Sequence, residues 1–281
     1  MSQVLPFYLV CDESGSMRGV PLRAINASLP DIHSEVASNP VVADKTRFCI
    51  IGFSGSARIV LPLSDLSGVT DMPVLGYRPG GTNYSAAFRM LFDAIEDDVR
   101  KLKADGHQVY RPAVFFLSDG RPNDKNWQSA YERITDTNWP LRPNILAFGF
   151  GKASPAILQR IATVQAFIAE PGMGPAAALR EFAGSLIRSI VNSASRASAT
   201  SGLVLAVPDN IPGFTTLSAD PILSRGGSSK SCRTLAKPPM RQSMRVELPA
   251  VSEGRQVGGI GEQQVGQRYK HQGSDGRRLG E

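Results

Sequence analysis

The sequence predicts an α/β domain with a doubly wound, mainly parallel sheet, one antiparallel edge strand and helices on both faces, followed by a disordered C-terminal tail. Three observations predict it. Short runs rich in β-formers alternate with longer segments of helical period. Residues 113–117 (AVFFL) are apolar throughout, as a strand covered on both faces must be. The runs 47–53 and 57–63 are joined only by Ser54-Gly55-Ser56, too short for a parallel crossover, so they form an antiparallel hairpin at a sheet edge.

Residues 5–11 are the first strand. A helix is predicted over 21–38, with Pro21 suited to its first turn and Pro30 expected to kink or divide it. After the hairpin, Ala87, Phe88, Leu91, Ile95 and Leu102 keep helical spacing from Tyr84 to about Lys103. Beyond the strand at 113–117, a helix is predicted over 124–136, a strand over 144–150, a short helix over 155–162 and a strand over 166–169. In the last helix Leu179, Phe182, Ala183, Leu186, Ile187 and Ile190 form one apolar stripe. A small-residue stretch and a final apolar run at 203–207 follow.

The 281 residues carry 31 Lys and Arg against 25 Asp and Glu, a net +6 that invites a nucleic-acid or membrane reading. Position decides against it. Residues 221–281 hold 11 basic and 5 acidic groups, leaving 20 of each in the first 220. That tail has one aromatic, Tyr269, ten glycines and no apolar period, so burial cannot offset the entropy of ordering it. The chain therefore divides into a domain over 1–212 and a basic, Gly/Ser/Arg-rich remainder over 213–281, mostly disordered from Pro221 onward. Weak, salt-sensitive attraction to polyanions is expected of the tail, and specific nucleic-acid recognition is not. No apolar run approaches the roughly 18 residues of a membrane span, and no secretory signal is visible, so a cytoplasmic location is expected. Cys11 and Cys49 fall in strand-like runs and Cys232 in the tail, with no zinc or redox spacing.

In a doubly wound sheet, ligands bind at the carboxyl ends of the strands, where the strand order reverses. The first strand ends in Cys11-Asp12-Glu13-Ser14-Gly15-Ser16-Met17, the 113–117 strand in Ser118-Asp119-Gly120-Arg121-Pro122, and Gly80-Gly81-Thr82-Asn83 precedes the Tyr84 helix. These loops offer Asp12, Ser14, Ser16, Thr82 and Asp119, all hard oxygen donors. The set suits Mg²⁺, with Mn²⁺ close behind, better than zinc or copper. Two carboxylates only balance a divalent charge, so the cation stays electrophilic and a carboxylate from a protein partner would complete an octahedron.

Around this set, Glu13 and Arg121 are either solvated loop charges or rim residues that select partners. Asp124 is expected to cap the helix that follows it, and Asp93, Glu96, Asp97 and Asp98 to form a solvated acidic face. His33, His107 and His271 sit at no strand end and are assigned surface structural roles.

Asp12-x-Ser14-x-Ser16, Thr82 after Gly80-Gly81, and Asp119-Gly120 together resemble the metal-ion-dependent adhesion site of von Willebrand factor type A domains, a Rossmann-like fold. The resemblance spans about residues 5–191, including the strand at 48–54. Within that superfamily, residues 117–124 (LSDGRPND), the near-immediate start of the domain and the lack of an export signal resemble the bacterial tellurium-resistance-associated TerY-like group. The resemblance implies that Ser14 and Ser16 bind the metal directly, Asp12 and Asp119 mostly through water, and that Thr82 moves between direct and water-bridged contact. It also implies a role in assembling proteins, often beside a kinase and a phosphatase, in stress or metal-ion resistance.

The rival from another class is a Mg²⁺-dependent phosphoryl-transfer enzyme using Asp12 as nucleophile. Haloacid-dehalogenase-like phosphatases place an acid two residues after that aspartate, and Ser14 cannot protonate a leaving group. A P-loop and a Gly-x-Ser-x-Gly elbow are both lacking. A binding module, not an enzyme, is the expectation.

Overall fold

Nine consecutive buried residues, Val4 to Asp12, mark Gln3–Asp12 (β1) as an interior strand of the computed structural model, which describes residues 2–195 and 204–218. After β1 come α1 (Val20–Ala37), α2 (Pro40–Lys45), β2 (Thr46–Phe53), β3 (Ala57–Ser64), α3 (Tyr84–Ala104), β4 (Gln108–Val109) and β5 (Ala113–Ser118). The chain continues through α4 (Trp127–Thr135), β6 (Asn144–Gly149), α5 (Pro155–Ile161), β7 (Gln165–Ala169), α6 (Pro175–Ser195) and β8 (Phe214–Ser218). The sheet order is β3-β2-β1-β5-β6-β7-β8, with the two-residue β4 pairing beside β1. β1, β2, β5, β6 and β7 run parallel, β3 antiparallel to β2, and β8 antiparallel to β7. The strand order reverses between β1 and β5, so the two loops leaving their carboxyl ends face one crevice.

Alternation along β1 sorts its side chains into two layers. Phe7, Leu9 and Cys11 pack with α1, α2 and α6, whereas Tyr8 and Val10 pack with α3, α4 and α5. Cys11 and Cys49 are buried free thiols on opposite layers, and burial pushes both thiols up. Among the described residues no helix is long and apolar enough to cross a membrane.

Three expectations are amended. α1 runs unbroken through Pro30. A proline inside a helix costs roughly 3 kcal/mol. Burying Ile25, Leu29, Ile32 and Val36 returns about 1.5–3 kcal/mol each, so packing holds the helix together. The short helix α2 was not expected, although Asn39 caps it by accepting from the Val42 N–H (3.3 Å). The sheet also extends past the expected boundary at residue 212. β8 gives it a second antiparallel edge, and Phe214 packs its ring 6.2 Å from that of Phe148. Residues 204–207 of the late apolar run are not a strand, but lie on α6, where the Ala206 N–H donates to Ser193 Oγ (2.8 Å). The expected disorder of residues 221–281 falls outside the described residues, as do Cys232 and His271.

Candidate metal centre

At the end of β1 the Glu13 N–H donates to the Phe53 carbonyl of β2 (2.7 Å), and a 3-10 turn over Gly15–Met17 then reverses the chain. This turn is built around Asp12, which is fully buried. Asp12 Oδ1 accepts from the Ser14 N–H (2.8 Å) and Oδ2 from the Ser118 hydroxyl (2.7 Å). Ser16 Oγ donates to Asp119 Oδ1 at 2.6 Å. The Ser14 and Ser16 hydroxyls are 3.3 Å apart, and Thr82 Oγ1 donates to Ser14 Oγ at 3.3 Å. Asp12, Ser14, Ser16, Thr82 and Asp119 therefore meet in one bonded cluster, although their loops are far apart in sequence.

Two glycines place Thr82. Gly80 and Gly81 have φ of 117° and 83°, a region that L side chains rarely adopt. A Cβ on Gly80 would stand 2.8 Å from Gly55 Cα, and one on Gly81 would stand 1.8 Å from Asn123 Nδ2. The Asn123 N–H in turn donates to the Thr82 carbonyl (3.0 Å), fastening this loop to the one after β5.

Burial pushes the Asp12 carboxyl up to about 6; the bonds from Ser14 and Ser118 oppose the rise and Asp119 adds to it. Burial also raises Asp119, against the Ser16 bond and the nearby Lys152 charge. The cluster thus holds two carboxylates whose charged forms are poorly solvated. Among the described residues no three His, Cys, Asp or Glu side chains gather as a metal-binding group. An open cleft of about 610 Å³ adjoins the cluster, lined by Ser16, Asp119, Gly120, Arg121, Lys152 and Ala153.

Neighbouring residues depart from expectation. Glu13 is neither a solvated charge nor a rim residue: it is fully buried, paired with Arg58 Nη2 (2.7 Å) and accepting from the Gly76 N–H (2.9 Å). Arg121 is exposed at the cleft. Asp124 caps α3, not the helix after it, accepting from the N–H groups of Tyr84 (2.9 Å) and Ser85 (3.1 Å) and from the Ser85 hydroxyl. Of the acidic run, Asp98 accepts from the Tyr8 hydroxyl (3.0 Å) and Glu96 from the Trp139 indole (3.3 Å), so the face is only partly a solvated one. His33 bonds the Leu66 and Val69 carbonyls, and His107 bonds Ser2, as structural histidines. Sequence reasoning missed Ser118. Its signal was its place directly before Asp119, but only the pairing of Cys11 with Leu117 brings it to Asp12.

The family model for the von Willebrand factor type A domain matches residues 7–173. The structure is similar to the pilus adhesin SpaC from Lactobacillus rhamnosus GG, with a TM-score of 0.51 and 13% identity over 67% of this chain and 30% of that one. It is also similar to a von Willebrand factor type A protein from Catenulispora acidiphila (TM-score 0.46, 15% identity, 67% of this chain and 43% of that one). A third is proximal thread matrix protein 1 from the mussel byssus, solved with a zinc-occupied MIDAS motif (TM-score 0.48, 16% identity, 68% and 48%). The chain spans less than half the length of each of these solved proteins. No curated protein matches the sequence.

Proposed function

We propose that this chain, which belongs to the von Willebrand factor type A domain family, binds Mg²⁺ through Asp12, Ser14, Ser16, Thr82 and Asp119 and then captures an Asp or Glu side chain of a protein partner. The observation that carries this reading is the run Thr82, Ser14, Ser16, Asp119, whose successive oxygens stand 3.3, 3.3 and 2.6 Å apart. Oxygens on neighbouring corners of a Mg²⁺ octahedron with 2.0–2.1 Å bonds are about 2.9 Å apart, which this spacing brackets. Both Asp12 oxygens already accept hydrogen bonds, which supports a water-bridged role for this carboxylate and a direct one for the hydroxyls. Mn²⁺ satisfies the same donors. When bound, the cation supplies a Lewis-acidic position open to an outside carboxylate.

The same engagement of Asp12 argues against phosphoryl transfer. A nucleophile needs a lone pair aimed at open space, and the group two residues on is a hydroxyl. We read the protein as an interaction module, acting in the cytoplasm. Residues 117–124 support a place in a stress or tellurium/metal-ion-resistance system beside a kinase or phosphatase.

Mg²⁺ at a hundredfold excess over Kd stabilises the folded state by about 2.7 kcal/mol, roughly 5–10 °C in a domain of this size. Asp119→Ala is expected to abolish that rise, and a shift of unchanged size in the variant overturns the site. In a pull-down, partner retention is expected in Mg²⁺ and lost with EDTA or in Asp12→Ala; retention in EDTA overturns metal-mediated capture.

A further inference from the structure

We propose that the partner segment carries further acidic side chains beside the one that meets the metal, and that Arg121 and Lys152 receive them. The proposal rests on the metal reading above and deepens it by naming the partner's chemistry. It starts from the division of charge among the four segments next to the cluster, residues 12–19, 76–83, 118–126 and 150–154. Every acidic residue of those segments is turned inward. Asp12 and Asp119 belong to the cluster, Glu13 is buried against Arg58, and Asp124 caps α3. Every basic residue of the same segments, Arg18, Arg78, Arg121, Lys125 and Lys152, is exposed.

Two of these cations form the wall of the cleft that opens on Ser16 and Asp119. Neither Arg121 nor Lys152 takes part in an ion pair among the described residues. Loop geometry fixes Lys152 there: its N–H donates to the Asp119 carbonyl (3.0 Å), and its charge already bears on the Asp119 carboxylate. Arg18 lies over the Tyr77 ring, 5.3 Å from its centroid.

With a divalent cation balancing Asp12 and Asp119, Arg121 and Lys152 leave unpaired positive charge on the cleft wall, although the first 220 residues are neutral overall. A lone carboxylate would satisfy the cation and leave the wall unpaired. An acidic run satisfies both, since a guanidinium accepts a carboxylate through two parallel N–H bonds and an ammonium as a point charge. Such complementarity selects partners and speeds encounter.

The test compares two acetylated, amidated peptides, Gly-Asp-Glu-Glu-Gly and Gly-Asp-Gln-Gln-Gly, titrated into the full chain in saturating Mg²⁺ at low salt. Exposed ion pairs are individually weak, so the acidic peptide is expected to bind about five- to twentyfold tighter. That preference is expected to shrink as salt rises. In the double variant Arg121→Gln, Lys152→Gln it is expected to fall below about twofold, while Mg²⁺ still raises the melting temperature. Equal binding of the two peptides to the Mg²⁺-loaded wild type, or a preference that survives in the double variant, overturns this inference alone. A wild type that Mg²⁺ does not stabilise, binding both peptides equally with or without EDTA, overturns the metal reading and this inference with it.

Discussion

Glu13 shows how much of the site's support is invisible from its own position in the sequence. A carboxylate taken out of water costs several kcal/mol unless it is paired and hydrogen-bonded. Arg58 on β3 and the Gly76 N–H supply the partners, and Gly52 on β2 supplies the room. Gly52 and Arg58 depend on register, Gly52 standing beside Cys11 on one side and Arg58 on the other. Sequence therefore showed a charge beside a loop and could not show its burial. Four of the proposed ligands, Asp12, Ser14, Ser16 and Asp119, were legible because they follow strands, which hydrophobic runs locate well, and Thr82 because it stands just before a long periodic helix. A Cβ on Gly52 would fall 2.2 Å from Glu13 Oε2, with its nearest neighbours all in that one buried carboxylate. Gly52→Ala is thus expected to destabilise the domain by about 1–3 kcal/mol, as overpacking does, read as a lower denaturation midpoint at unchanged slope. An unshifted midpoint would mean that Glu13 relocates at no cost and that its burial is incidental.

At the scale of elements, α3 links fold to site, because its first turn begins two residues after Thr82. A helix leaves its first N–H groups without intrahelical partners. Here Asn83 accepts from the Ala86 N–H (2.9 Å), and Asp124, arriving from the loop after β5, takes those of Tyr84 and Ser85. The sequence rule that an acid before a helix caps it chose the wrong helix. Chain neighbourhood pointed to α4, whereas the Asn123 bond to Thr82 turns Asp124 toward α3. Long elements were legible to within a few residues, since burial repeats along them. α2, β4 and β8 were not, being too short to show a period and held by pairing or capping. Asp124→Ala is expected to cost about 1 kcal/mol, and no more than about 2, as loss of a helix cap does. Equilibrium denaturation checks this, and no loss of stability would show that water replaces the carboxylate at the α3 terminus.

For the whole molecule, the decisive boundary is the far edge of the sheet. Composition divides the chain by charge and glycine content, and on that division the domain was expected to end at residue 212. β8 lies just beyond it, and its five residues, with Thr215 and Thr216 exposed, are too few to show a period. Its identity comes from pairing Phe214 through Ser218 against β7, which closes an edge otherwise open to other chains. Phe214 is 5% exposed and belongs to the α1/α6 layer of the core. Removing a buried phenylalanine alone costs about 3–5 kcal/mol, to which the lost ladder adds. A chain shortened after Pro212 is therefore expected to melt at least about 6 °C below one shortened after Asp220, and to aggregate more readily through the bared β7. The cluster of proposed ligands lies at the ends of β1 and β5, separated from β8 in the sheet by β6 and β7, so Mg²⁺ should still raise both melting temperatures. Equal melting of the two shortened chains would place the edge of the stable domain at residue 212 and reduce β8 to a loosely attached strand.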